Sequence, residues 1–479
     1  MLSTELADLF IRLWNSIEQA TEAGGAIPPP SALVHGRLEA EAVGLISRPT
    51  AAAELEKWSG TDQQRAVIAA QAIDAWFLPM TGPTTGLNSE LREARRQYLL
   101  RHRFDSAASS DRLILRRPLG GRWQDPLSMP KNYVGAAAFF ETLFVLPGEI
   151  TSTHPDDETK PIKIKIDFRM SAAADVRPFD LTRPWSLGIA PIAEADTDFD
   201  FKTLDVAGQE HYDVQVQPLH DRIKDVVKYL CEQNCRVIAF PEMAIHEDAI
   251  TVLKDAVAAH GPTSQLSLVF AGSARMPDAS GKPPYNESIV LDHLGREILK
   301  HRKLTHWNLK KDQCDRYALP CKGATLNEYT TAGDTVTVLE HGFFGRIATL
   351  ICEDLSRFQP GVWLRENMLL DLQFTPILDA TIEEQRWPHR FGTKASFSGR
   401  CRVIVANSVP LTLRQNKVNN ASGATHRVSG QCGIAFLADV ESADLRERFV
   451  HVPLPLTSPV AEVVSWHPET WNLSSISKH

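Results

Sequence analysis

Apolar residues recur at three-and-four spacing through LADLFIRLWNSIEQA and again through TDQQRAVIAAQAIDAWFL, the period of a helix with one buried face. The second stretch opens on Thr61, whose hydroxyl suits an N-cap, and the run GGAIPPP between the two reads as a hinge or loop. Residues 1–104 are therefore predicted as a mainly helical region whose apolar faces make a core. Residues 105–183 change texture, mixing strand-like stretches (DRLILRR, PIKIKIDFRM) with turns such as HPDDETK. Alternation over residues 162–168 predicts a half-buried strand. This mixed connecting region reads equally as a small domain or as an extension of the domain C-terminal to it.

From about Pro184 strand and helix patterns alternate. SLGIAPI reads as a buried strand, PLHDRIKDVVKYLC as an amphipathic helix, RVIAF as a strand, AIHEDAITVLKDAVAAH as a helix and LSLVFAG as a strand. Further strands are predicted at ESIVLDHLG, TVTVLEHG, GRIATLIC, LLDLQFTPIL, CRVIVAN and CGIAFLAD. This alternation predicts an α/β domain over residues 184–479, with helices packed on sheets.

Composition narrows the function classes. With 43% hydrophobic and 23% charged residues over 479 positions, the chain is globular, with room for about two or three domains. A net charge of -8 argues against a general nucleic-acid coat. One stretch departs from that average: from Arg92 to Arg122 there are nine Arg against three acids, a solvated face or a dock for an acidic protein or nucleic-acid partner. Only Tyr98 and Phe104 are aromatic there, which gives base stacking little support. The longest apolar window falls short of a membrane span, and MLSTELADLF has acids where a signal peptide needs a basic start. Seven cysteines without dense spacing fit a reducing compartment. The expectation is a cytoplasmic protein with no membrane partner.

Three residues carry candidate chemistry, each at a strand end. Cys352 closes GRIATLIC where the chain must turn into Glu353 and Asp354, placing a sulfur beside backbone N–H groups as a nucleophile with an oxyanion site requires. Glu242 comes directly after the apolar run RVIAFP, where a raised pKa would suit a general base. Lys303 lies at the end of the hairpin-like SIVLDHLGREILKHRKL; pointing inward, it would lower a thiol pKa and stabilise an oxyanion. Taken singly, each has an ordinary alternative: a buried thiol, a cap or surface carboxylate, an edge-strand lysine.

The ordered set FPE, RKL and strand–Cys-Glu-Asp resembles the nitrilase, or carbon–nitrogen hydrolase, superfamily, over roughly Pro184 to the mid-450s. The resemblance implies a nitrilase-like α-β-β-α sandwich behind the helical N-terminal region, with Glu242 as base, Lys303 as oxyanion-stabilising cation and Cys352 as nucleophile. It also implies that Glu328, in NEYTTAGD, orients the lysine or substrate, and that the Glu353 N–H completes the oxyanion site. Trp387, His389 and Arg390 fall where the family's chains commonly line the pocket mouth. The implied reaction is hydrolysis of a non-peptide C–N bond, above all an amide, through a thioester, with homodimers built about a twofold axis. The chain departs from the family in Lys303-Leu304-Thr305-His306 where Lys-x-His-Leu is usual, and in KASFSGRC before the Ala-Asn strand. Cys-Glu-Asp is nearer to the glutaminase domains of glutamine-dependent synthetases.

No metal or organic cofactor is expected. Cys314 and Cys321, with His301 and His306 near, match no common zinc spacing, and Cys231 and Cys235 read as core or surface thiols. Two alternatives stand beside the enzyme: a regulatory or scaffold protein using a nitrilase-like domain for assembly, and a glutaminase subunit supplying ammonia to a separate synthetase. The chain carries no GxxxxGK[ST] phosphate loop of its own.

Overall fold

The computed structural model describes residues 4–22, 32–46, 50–60, 62–75, 112–116, 143–153, 160–170, 184–341, 344–368, 370–399, 401–422, 430–441, 444–454, 456, 460–466 and 472–473. These fall into two compact units, Met1–Glu149 and Ile150–His479. The hinge at 24–30 and Thr61 lie outside the described residues. So does the basic stretch from Arg92 to Arg122, apart from the strand Arg112–Arg116.

The first unit holds the helices Thr4–Glu22, Ala32–Ile46, Ala51–Ser59 and Gln63–Ala75. Leu9, Phe10, Leu13, Trp14 and Ile17 are buried along the first of them, the spacing that the sequence pattern requires. At the start of the fourth, Asp62 Oδ1 accepts from the N–H groups of Gln64 (2.9 Å) and Arg65 (3.3 Å). An acid that takes up two unpaired amides at a helix N-terminus both caps it and opposes its dipole. Strand Arg112–Arg116 pairs antiparallel with Leu143–Pro147.

The second unit is a sandwich. Its seven-stranded sheet runs in the order Glu297–Arg302, Tyr285–Asp292, Leu268–Met276, Cys235–Ala239, Trp185–Ile189, Glu462–Trp466, Asn472–Leu473. The eight-stranded sheet runs Asp444–Pro453, Gln431–Glu441, Arg402–Asn407, Leu372–Ile377, Gly345–Thr349, Thr335–His341, Pro161–Met170, Glu149–Thr153. Leu187, Val237 and Phe270 from the first share one core with Ile347, Phe374 and Ile404 from the second. The Phe270 and Phe374 rings stack across it at 4.5 Å. Helices His220–Glu232 and Ala249–His260 cover the outer face of the seven-stranded sheet through Ile223, Leu230, Leu253 and Val257. Helix Trp387–Gly399 packs on Arg402–Asn407 and Gln431–Glu441 of the other. The layers are therefore α-β-β-α, as expected. The central strands are parallel and buried on both faces, which is why RVIAF and CRVIVAN are continuous apolar runs.

Strand Pro161–Met170 pairs in parallel with Thr335–His341. Ile164 and Ile166 are buried on either side of exposed Lys165, the predicted alternation. Part of the connecting region is thus built into the eight-stranded sheet, and the sandwich begins before Pro184.

A third sheet was not anticipated from the sequence. The hairpin Phe199–Val206 and Gln209–Val216 turns at Ala207-Gly208, both with positive φ, and joins Thr325–Glu328 and Leu309–Lys310. It delivers Tyr212, Asp213 and Glu328 to a cleft at the seam of the sandwich. Among the described residues no helix is long and apolar enough to cross a membrane.

Candidate active site

Strand Cys235–Ala239 runs out into Phe240-Pro241-Glu242. The turn is pinned to the neighbouring strand by Phe240 N–H to Phe270 O (3.0 Å) and Ser273 N–H to Pro241 O (3.2 Å). Gly272, at φ +65, permits this approach, since a Cβ there would stand 2.0 Å from Pro241 O. Glu242 N–H reaches Ile377 O of the other sheet at 3.3 Å, which fixes the residue at the seam of the sandwich, 2% exposed. Met243, next along, is held at φ +54 with its N–H on Ser273 Oγ (3.0 Å).

Lys303 lies just past strand Glu297–Arg302, its N–H on Asn286 O (2.8 Å), and is 1% exposed. Its Nζ donates to Glu242 Oε1 (3.0 Å) and to both Glu328 oxygens (3.0 and 2.8 Å). Glu328, at the end of strand Thr325–Glu328, also accepts from the Trp307 N–H at 2.7 Å. One ammonium is thus shared by two carboxylates away from water, where losing a partner is costly.

Cys352 lies just beyond strand Gly345–Thr349 and opens the tight turn Cys352–Leu355 with φ +49. A left-handed backbone at a non-glycine residue is strained, and such strain collects at functional sites. Two residues on, the buried Asp354 carboxylate accepts from the Leu304 N–H (3.1 Å) and Thr305 N–H (2.8 Å). The cysteine turn therefore clamps the loop that carries Lys303.

Burial raises the Glu242 pKa, with Lys303 opposing and Glu328 adding to the rise. Burial works to lower that of Lys303, but Glu242 and Glu328 outweigh it and hold the ammonium well above its usual range. Burial also pushes the Cys352 thiol well above its ordinary value, with Glu242 adding and Lys303 opposing. Lys303 acts on the thiol in the expected direction, lowering its pKa, but desolvation and a nearby carboxylate outweigh it. The thiol rests protonated, close enough to Glu242 to interact with its carboxyl. Glu242 Oε2 accepts no hydrogen bond from the described residues. The Glu353 side chain turns to Ser356 Oγ (3.0 Å) and Arg357 Nε (3.2 Å).

A narrow cleft opens on Glu242, Lys303 and Glu328, walled by Tyr212, Trp307 and Tyr329. Two of its residues carry no sequence motif of their own. Asn286 Nδ2 donates to Glu242 Oε1 at 2.8 Å, and Tyr212 OH donates to Trp307 O at 2.6 Å. A lone amide within the strand YNESIVLD is an available signal for the first; the second comes from the unanticipated hairpin. Neither Cys352 nor Trp387, His389 and Arg390 are among the residues lining the cleft. Trp387 Nε1 donates to Asp379 Oδ2 (2.8 Å), His389 faces Glu447 Oε2 (3.0 Å), and Arg390 N–H continues the helix from Arg386 O. Cys314, Cys321, Cys231 and Cys235 are buried free thiols. Among the described residues no group of three or more His, Cys, Asp or Glu could hold a metal ion.

No curated protein matches the chain. Among solved structures it is similar to the glutamine-dependent NAD+ synthetase of Acinetobacter baumannii (13% identity, 62% of this chain, TM-score 0.38) and spans 48% of that protein's length. It is also similar to Saccharomyces cerevisiae Nit3, a member of branch 10 of the nitrilase superfamily (11% identity, 62% of this chain, 94% of that one, TM-score 0.38). A cysteine-to-alanine mutant of the nitrilase-superfamily amidase from Nesterenkonia AN1 gives 12% identity over 61% of this chain and 93% of that one, TM-score 0.38. The family model for carbon–nitrogen hydrolases matches residues 204–411, the segment that contains Glu242, Lys303, Glu328 and Cys352. Residues 204–411 of this chain match a carbon–nitrogen hydrolase domain.

Proposed function

We propose that this domain hydrolyses an amide through a thioester on Cys352. The observation that carries the reading is the buried Lys303 Nζ, bonded to Glu242 and Glu328 beside the Cys352 turn. Glu242 takes the thiol proton as sulfur attacks the carbonyl carbon, so no free thiolate is needed beforehand. Lys303 and the Glu353 N–H hold the oxyanion of the tetrahedral intermediate. Its collapse breaks the C–N bond, and the proton held by Glu242 leaves with ammonia or an amine. Glu242 then takes a proton from water, whose oxygen attacks the thioester; the acid departs and the proton returns to sulfur.

The test is ammonia release across a panel of amides, carbamoyl amines, nitriles and glutamine, with intact-protein mass spectrometry of quenched turnovers. Turnover of an amide with an acyl adduct on Cys352, both lost in Cys352→Ala, is the expected result. Ammonia release that survives Cys352→Ala, or none from any amide, would overturn the reading.

A further inference from the structure

We propose that Tyr212 is a positioning residue for the hydrolysis. By fixing Trp307 it keeps Glu328 on Lys303, so that the ammonium stays shared between two carboxylates and does not close onto Glu242 alone. This rests on the hydrolase reading above and adds to its machinery a residue from the hairpin outside the two main sheets.

The loop after Lys303 is held at two points. Asp354, in the cysteine turn, grips its first residues, Leu304 and Thr305. Further along, the Trp307 carbonyl accepts from the Tyr212 hydroxyl at 2.6 Å. The Trp307 N–H donates to Glu328 Oε2 at 2.7 Å, the same oxygen that receives Lys303 Nζ at 2.8 Å. Tyr212 and Glu328 stand side by side on parallel strands, and the Tyr212 carbonyl accepts from the Tyr329 N–H at 2.8 Å. Tyr212 thus grips the strand of Glu328 with its backbone and the loop of Lys303 with its side chain.

The hydroxyl carries the role. Tyr212 is buried with Val214, Leu309 and Leu326 in one apolar cluster. A phenylalanine would fill that space equally, and a buried hydroxyl costs free energy unless it is bonded. The bond to Trp307 is at the short end for O–H···O. Burial pushes the phenol well above its usual range, Glu328 adding to the rise and Lys303 opposing it, so the group stays a donor.

The consequence falls on Lys303. An ammonium has three donors. Here they serve Glu242 Oε1 (3.0 Å) and both oxygens of Glu328 (3.0 and 2.8 Å). Were Glu328 to drift, those donors would turn to Glu242 and make it a weaker base. The ammonium would also leave the place where the oxyanion forms.

The experiment is a double-mutant cycle on the full chain: wild type, Tyr212→Phe, Glu328→Gln and the double variant. Tyr212→Phe should lower kcat on the best amide by about 10–100-fold, the scale of a small misplacement, with KM little changed. In the Glu328→Gln background it should cost nothing further. 4-Aminophenylalanine at position 212, which keeps a donor at the same point, should restore most of the loss. An unchanged kcat in Tyr212→Phe overturns the proposal. So does an equal loss in both backgrounds, the mark of a hydroxyl that only supports the fold.

The rate of Cys352 alkylation by iodoacetamide, followed through the same four proteins, needs no amide turnover. It decides the cycle where Glu328→Gln turns over too slowly to measure. If the wild type hydrolyses no amide, the hydrolase reading fails. An alkylation effect of Tyr212→Phe that vanishes in Glu328→Gln then keeps the placement of Lys303 by Tyr212; an equal effect in both backgrounds, or none, sinks both. Amide turnover with equal losses in both backgrounds keeps the hydrolase reading and sinks this one.

Discussion

Asp379 and Glu242 are both buried carboxylates just beyond the end of a sandwich strand, Leu372–Ile377 for one and Cys235–Ala239 for the other. Their surroundings differ. Asp379 receives Ala380 N–H (2.7 Å), Trp387 Nε1 (2.8 Å) and Arg386 Nη2 (3.0 and 3.2 Å), so both oxygens are occupied and a cation is paired with it. Glu242 takes both of its donors, Asn286 and Lys303, on Oε1, while Oε2 accepts none from the described residues. Its cation is shared with a second acid, and a thiol sits next to it in a strained turn. A buried acid with its bonds complete holds structure together. One left incomplete, with a raised pKa, is poised to accept a proton. Trp387, at the head of its helix, belongs to the first kind of network.

The contrast breaks most visibly at Lys303. Lys303→Met keeps a similar volume but removes the ammonium, and turnover is expected to fall by at least about 10²–10³-fold. The companion change is Asp379→Asn, which leaves the part-buried Arg386 without its counter-charge. Its expected effect is on stability, a loss of about 3 kcal/mol, while the folded molecules keep their turnover. Denaturant melts and initial rates on both variants provide the check. If Asp379→Asn silences the enzyme at full stability, the division into a structural and a chemical network is wrong.

The same division separates what is legible in the sequence from what is not. Glu242, Lys303 and Cys352 are legible because each sits in a local signature at a strand end, and strand ends are set by apolar runs bounded by turns. Asp354 stands in plain view in Cys-Glu-Asp, yet its clamp on Leu304 and Thr305 spans about fifty positions and exists only once the sheets pair. The hairpin at Phe199–Val216 escapes local pattern because its first strand, FDFKTLDV, buries only Phe199 and so carries little period-two signal. The rise in the Cys352 pKa is hidden for another reason: charge types can be read from a sequence, whereas the depth of burial that sets the sign cannot. The strand Pro161–Met170 shows its own alternation, but its partner, Thr335–His341, lies too far along the chain for local pattern to assign the sheet.

A subtler test uses a carboxylate between the two extremes. Glu194 is buried, and its Oε1 accepts from the Val460 N–H at 2.6 Å. Burial lifts its pKa from the ordinary 4.5 to about 7, the Val460 bond and Arg222 opposing and Asp198 adding. The folded chain therefore holds this proton more tightly than the unfolded one. The stability it contributes is fully present below the unfolded value near 4.5 and is lost as pH rises through about 7. A shift of that size is worth up to ~3 kcal/mol. Glu194→Gln keeps an oxygen for the Val460 N–H but cannot ionise, so its thermal stability should not track that slope. At about pH 4 the two proteins should melt together; at about pH 8 the variant should melt a few degrees higher. Equal melting at both pH values would mean that one amide bond and a nearby arginine already satisfy a buried acid.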